Sequence, residues 1–351
     1  MEHILPAYKD PLFSIMLILV IALIIALVTY GWGIHKEYKE EGNLLKFLEK
    51  FDSSECSLNT SDMVFEPNML KPLSLLAQAF ENVGEYHKSI NIYLYLIKHI
   101  KYEVAQIELM ERLGNTYLHA GFLERSKSIY LEILRKRPRN PQILYELGIV
   151  YEILHEYDKA KEILEPLQIL GEDTSSLAKF WEYSSLSYDK KIDKELKIIK
   201  LKKLLEEEPK LYRAVFKSLL ALDIDSAWGV IDFERIEEIL DILWFLPYSQ
   251  LDLDIILSNS KLETLYYTKG YLQKATIDDN VDNSIFSLNL LATAKQNGFE
   301  DGDLIFSYLC QKCKQSFPVS FNRCPSCMAI HSIKVEEKIA KFTPKTEYSL
   351  L

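Results

Sequence analysis

Apolar residues fall along the chain in three regimes. From Leu12 to Ile34, twenty-three consecutive residues carry no charge and are rich in Leu, Ile, Val and Ala. As a helix they would span about 34 Å, enough to cross a bilayer. A cleaved signal peptide has a shorter apolar region, a basic start and a small-residue cleavage site; this stretch ends instead in Tyr30-Gly31-Trp32-Gly33, an aromatic pair suited to a membrane interface. Lys36, Lys39, Lys46 and Lys50 follow it closely, whereas only Lys9 and the amino terminus precede it. The bias of basic residues predicts a single-pass protein whose C-terminal side is cytoplasmic.

The second regime has a helical period and repeats itself. Leu76-Ala77 with Phe80, Gly84, Tyr86, Ser89 and Tyr93 recurs as Leu113-Gly114 with Tyr117, Gly121, Leu123, Ser126 and Tyr130. It returns as Leu147-Gly148 with Tyr151, His155, Tyr157, Ala160 and Leu164. The steps are 37 and 34 residues, and the pattern resembles the tetratricopeptide repeat, a stack of helical hairpins. Small residues on the first helix (Ala77, Gly114, Gly148) are expected to face small residues on the second (Ser89, Ser126, Ala160), so that the backbones approach closely. Pro138 marks a helix stop after the second unit. Stacked hairpins predict a concave groove for a protein partner.

Beyond this the repeat decays while the helical period persists. Ala178 to Tyr188, Lys194 to Glu207, Leu211 to Leu222, Asp232 to Leu246, Asp252 to Leu257, Lys261 to Lys274 and Ile285 to Gln296 read as amphipathic helices, punctuated by Pro166, Pro209 and Pro247. Asp52 to Pro72, rich in Ser, Asn and Pro, reads as a linker after a juxtamembrane helix, and a second boundary lies near Asn297 to Asp303.

The third regime carries the chemistry. Cys310-Gln311-Lys312-Cys313 and Cys324-Pro325-Ser326-Cys327 place two CxxC pairs ten residues apart, with Cys56 the one further cysteine. Two such turns can bring four thiolates to the corners of a tetrahedron, so Cys310, Cys313, Cys324 and Cys327 are read as ligands of one metal ion. Disulfides would demand an oxidising compartment, a redox pair wants a βαβ context, and haem attachment needs His where Lys314 and Met328 stand. With four protein ligands no position is open for a substrate water, so the ion is structural, and its binding should dominate the stability of so small a module. Lys312, Lys314 and Arg323 are the nearby cations available to offset the thiolates, and Tyr308, Phe317, Phe321, Ile330 and Ile333 the apolar residues available to close a small core.

Composition narrows the rest. A formal net charge of −10 disfavours nucleic acid. The lysines at 190, 191, 194, 197, 200, 202 and 203 form a local exception, accompanied by Glu195 and Glu206 to Glu208 and read as a solvated helix face. The chain shows no HExxH, GxSxG, GxxxxGK or dinucleotide-type glycine loop, and its seven histidines are scattered, so no enzyme is predicted.

This order of parts resembles the bacterial lipopolysaccharide assembly protein B family. The likeness rests on Tyr308-Leu309-Cys310-Gln311-Lys312-Cys313, Cys324-Pro325-Ser326-Cys327 and Ser332-Ile333-Lys334, and in the repeats on Leu113-Gly114-Asn115-Thr116-Tyr117 and Glu156-Tyr157-Asp158-Lys159-Ala160. It implies an all-α tetratricopeptide-type solenoid with an N-terminal transmembrane helix and a small rubredoxin-like metal module. The parts would be a periplasmic N-terminus (1–11), the membrane helix (12–34), a juxtamembrane helix and linker (35–72), clear repeats (73–170), degenerate helical repeats (171–300), the metal knuckle (304–336) and a tail (337–351).

The resemblance further implies an inner-membrane scaffold, catalytically inactive, that regulates lipopolysaccharide synthesis by presenting the lipid A pathway deacetylase to an FtsH-type membrane protease. The groove would hold the client, the knuckle would dock against the repeats, and a homodimer is compatible with the layout. The glycine that usually follows each rubredoxin CxxC is replaced here by Lys314 and Met328, which leaves the ion open between iron and zinc. Two other readings remain: a rubredoxin-like electron carrier, and a general envelope-assembly scaffold with a different client.

Overall fold

The structure, a computed structural model, describes residues 65–274, 285–299 and 301–341. The predicted membrane helix at 12–34, Cys56 and the juxtamembrane segment lie outside the described residues, and among the described ones no helix is long and apolar enough to cross a membrane. The chain divides into two compact units, one ending at Ile129 and one beginning at Tyr130.

In the first unit, α1 (Leu70–Asn82) pairs with α2 (Tyr86–His99), followed by α3 (Glu103–His119) and the start of α4 (Leu123–Lys136). The hairpin turns repeat in detail. Gly84 and Gly121 adopt φ of 80° and 79°, and the residue after each glycine donates its amide back to the carbonyl of the aromatic residue ahead, Glu85 to Phe80 and Phe122 to Tyr117, both at 2.8 Å. This left-handed helix ending suits glycine, which has no Cβ to clash. Close approach of small residues is also present, since the Ser126 hydroxyl donates to the Gly114 carbonyl at 2.9 Å.

The second unit continues with α5 (Pro141–Ile153), α6 (Tyr157–Glu162), α7 (Leu164–Ile169), α8 (Ser175–Tyr188), α9 (Lys194–Glu207), α10 (Tyr212–Leu222), α11 (Ile224–Trp228), α12 (Leu240–Trp244), α13 (Leu253–Leu257), α14 (Ser260–Lys269) and α15 (Phe286–Gln296). Helix α5 starts where Pro141 pre-sets φ and the Asn140 side chain accepts from the Ile143 amide at 3.2 Å. At its end His155 takes the glycine position with φ 60°, and Glu156 donates to Tyr151 at 2.8 Å as in the two earlier turns. The core of this unit is built on Trp181, Trp228, Trp244, Tyr212, Phe216 and Tyr266, all fully buried.

Three expectations are corrected here. The stretch Asp232 to Leu246 is not one helix: a 3-10 segment (Phe233–Ile239), broken at Arg235 (φ −114°), precedes α12. The helix expected to reach Lys274 stops at Lys269, because Gly270 at φ 90° closes it. Gly148 does make room, but for the next hairpin: a Cβ there would come within 2.5 Å of the Trp181 ring from α8.

The all-α expectation gives way at the C-terminus. There β1 (Gly302–Cys310), β2 (Ser316–Phe317) and β3 (Ile333–Lys341) form an antiparallel sheet of order β2-β1-β3. Register pairs Tyr308 with Val335 and Cys310 with Ile333 on one side, and Tyr308 with Phe317 on the other. A CxxC turn needs its flanks held apart and in register, and strands supply that.

Candidate metal centre

Each CxxC pair sits in a turn of the same design. In the first, Lys314 donates to the Cys310 carbonyl at 2.8 Å and Cys310 to the Gln315 carbonyl at 2.9 Å; in the second, Met328 donates to Cys324 at 3.0 Å and Cys324 to Ala329 at 2.8 Å. The residue after each pair, Lys314 or Met328, lies in the left-handed region at φ 62° and 56°. The two positions where rubredoxin-type turns usually carry glycine thus keep a glycine-like backbone.

The turns face each other and bring all four predicted ligands together. The Sγ atoms of Cys310, Cys313, Cys324 and Cys327 lie within 4.8 Å of one another, with Cys310 to Cys327 and Cys313 to Cys324 at 3.7 Å. A tetrahedral ion with metal–sulfur bonds of about 2.3 Å would have sulfur–sulfur edges of about 3.8 Å. Disulfide sulfurs would sit at about 2.05 Å, and these four thiols are free. The donor set therefore has the size and chemistry for zinc or iron.

Cys310 and Cys324 are fully buried, and Ala329 packs with them. Phe317 and Phe321 close the cluster, their rings edge-on at 5.3 Å. Burial pushes the Cys324 thiol up to about 12, against partial relief from the Cys327 and Ser326 amides, and pushes Cys327 up as well. Cys310 is also desolvated, yet the Cys313 amide, the Ser332 hydroxyl and the Lys312 amide draw it down to about 6. Ser332 donates to its sulfur at 3.4 Å. A divalent ion held by the four sulfurs would supply the positive charge that buried thiolates need.

Arg323 is not the counter-cation its sequence position suggested. Its guanidinium bridges the knuckle and the helices, donating to the Met328 carbonyl and through two nitrogens to the Glu152 carboxylate of α5. Trp181 of α8 donates to the same carboxylate at 2.6 Å, and the guanidinium lies 5.2 Å from the Phe180 ring centre. Tyr308 also leaves the small core: its hydroxyl donates to Asp241 at 2.8 Å, which is held by Arg213 at 2.6 and 2.7 Å. Trp244 donates to Asp303 at 3.1 Å. The knuckle is clasped to the helices by three polar contacts drawn from α5, α8, α10 and α12, the Tyr308–Asp241 bond buried and the other two part-buried. Sequence reading missed Glu152, Asp241 and Arg213; nothing local distinguishes them from surface charges.

His331, after the second turn, packs edge-on to Phe180 at 5.7 Å. It shares a cleft of about 580 Å³ with Gln142, Tyr145, Ser176 and Lys210. Burial lowers its imidazole below the usual range.

The sequence pattern of the tetratricopeptide repeat family matches residues 129–162. No curated protein matches the chain. Similar solved structures are MamA proteins: a MamA RS-1 double mutant at 16% identity and TM-score 0.37, covering 49% of this chain and 93% of that one; MamA MSR-1 at 17% and 0.33, covering 46% and 90%; and MamA AMB-1 at 17% and 0.33, covering 47% and 93%. The chain combines helical hairpins, among them a tetratricopeptide match at 129–162, with a small C-terminal strand region carrying a four-cysteine cluster.

Proposed function

We propose that the protein is a membrane-anchored scaffold in which helical hairpins bind protein partners and a structural metal ion, held by Cys310, Cys313, Cys324 and Cys327, fixes the C-terminal module against them. The observation that carries this reading is the buried clasp of Arg323 with Glu152 and Trp181, which makes the knuckle part of the helical surface. An electron carrier would gain nothing from such a fixed attachment, whereas a binding surface gains rigidity and hence affinity. The ion, when bound, supplies charge neutralisation and cross-linking of the two turns.

In the fuller form of the proposal the anchor lies in the inner membrane with the described residues on the cytoplasmic side. The client is the lipid A pathway deacetylase, presented to an FtsH-type protease. Support comes from the terminal cysteine motifs and the repeat signature quoted above. Affinity capture of the full chain from native membranes, with depletion, tests it. Recovery of a membrane protease together with a lipid-synthesis enzyme, and a rise in deacetylase on depletion, is expected. An unchanged deacetylase level and lipopolysaccharide amount would leave the general envelope scaffold. The electron-carrier reading stands on the iron-compatible donor set; a red protein that bleaches reversibly and passes electrons to a partner would favour it.

A further inference from the structure

Helix α1 (Leu70–Asn82) is apolar on two sides. One side, with Ala77 buried, packs on α2. The other carries Pro72, Leu75, Leu76, Ala79 and, just past the helix end, Val83, which at 3.6 residues per turn fall in one stripe. Leu75 is 65%, Leu76 45% and Val83 72% exposed, and Pro72 and Ala79 are exposed as well. The repeat shows what such a face is for. Steps of 37 and 34 residues carry Pro72 to Leu109 and Ile143, Leu76 to Leu113 and Leu147, and Ala79 to Thr116 and Val150. All six of those later residues are buried. In α3 the face is turned to the hairpin before it, since the Thr116 hydroxyl donates to the Glu81 carboxylate of α1 at 3.3 Å. Among the described residues no α-helix precedes α1 to cover it in the same way. A repeat that ends a solenoid carries a polar outer face. Here the outer face is apolar, and Leu75 stands where the later hairpins have Arg112 and Glu146.

We propose that residues 43–51 of this same chain cover the stripe as a capping helix. Their sequence has the matching pattern: Leu44, Phe47, Leu48 and Phe51 recur at i, i+3, i+4 and i+7, opposite Asn43, Lys46 and Lys50. The tether allows it. Residues 52–64 span at most about 45 Å when extended, against about 20 Å for the length of α1. The described chain enters beside the same hairpin, with the Phe65 ring 5.7 Å from His99 and 6.3 Å from Tyr95 of α2. A tether of this length holds the segment at an effective concentration on the order of millimolar, which favours it over a second copy. A bilayer face would call for basic residues along the stripe, and the stripe has none. The inference rests on neither the membrane anchor nor the client.

The test is hydrogen exchange on the full chain in detergent micelles. Amides of 43–51 should be protected in the parent, and Leu75→Lys with Val83→Lys, both at exposed positions, should speed their exchange roughly tenfold or more. Exchange within Glu103–His119 should stay unchanged, which shows that the hairpins remain folded. Leu48→Asp should in turn speed the amides of 70–83, and it probes the contact without altering α1. Exchange of 43–51 at the free-chain rate in the parent would overturn the inference. So would protection that the α1 substitutions leave in place, the mark of a micelle contact, and protection that is lost on dilution, the mark of a second copy.

Discussion

Lys314 and Met328 hold a backbone conformation that L residues avoid, at a cost of about 1–2 kcal/mol relative to the right-handed region. Lys314→Gly should raise the stability of the metal-loaded protein by about 0.5–1 kcal/mol, after the larger unfolded-state freedom of glycine is deducted, and thermal melting reads it. Gly148 illustrates the opposite constraint. Gly148→Ala drives a Cβ to 2.5 Å from the Trp181 ring and should cost about 1–3 kcal/mol by overpacking, measured by denaturant unfolding. Arg323 and Glu152 are 8% and 11% exposed. Arg323→Met therefore strands a buried carboxylate and should cost about 3–5 kcal/mol; Glu152→Gln in the same chain should recover part of that loss, a coupling that a double-mutant cycle measures. The convergence of Cys310, Cys313, Cys324 and Cys327 was legible from spacing alone, because a CxxC turn writes its geometry into four consecutive positions. Arg323 was seen but misassigned, since its true partner lies 171 residues away.

Among elements, the hairpins were legible because each small or turn residue answers a local demand. Gly84, Gly121 and His155 all hold the same left-handed turn, and His155 offsets its strain by stacking on Tyr188 with ring centres 4.0 Å apart. Where the pattern decayed, local signals gave helix positions but not continuity: Arg235 breaks one helix and Gly270 ends another early. The docking of the strands was not legible, since Tyr308 finds Asp241 and Trp244 finds Asp303 through tertiary packing. His331, packed against Phe180, is expected to make stability pH-dependent. Its folded-state pKa is lowered by burial, among Glu208, Lys210 and Arg323, so the folded protein favours neutral imidazole while the unfolded chain takes up a proton near about pH 6.5. The stability it contributes is present above that pH and falls away as pH drops through the folded value. His331→Gln should flatten the decline in melting temperature between neutral and mildly acidic pH relative to the parent chain.

At the scale of the whole molecule, helical hairpins that include a tetratricopeptide match at 129–162 carry a last module whose four cysteines converge and whose side chains bond to the neighbouring helices. The helical units have large cores of their own, whereas the knuckle buries only Cys310, Cys324 and Ala329 in its cluster, with Leu304, Tyr308, Ser332 and Val335 along its strands and the segment leading into β3. Ion binding at these cysteines would add a large share of the folding free energy of so small a module. Chelation should accordingly leave helical circular dichroism largely intact while the strands exchange rapidly. The most direct test is the metal content of purified full-length protein beside its Cys324→Ser variant, by elemental analysis. About one zinc or iron per chain in the parent and a loss of that metal in the variant is the expected result. No bound transition metal in the parent, or equal content in both, would contradict the account.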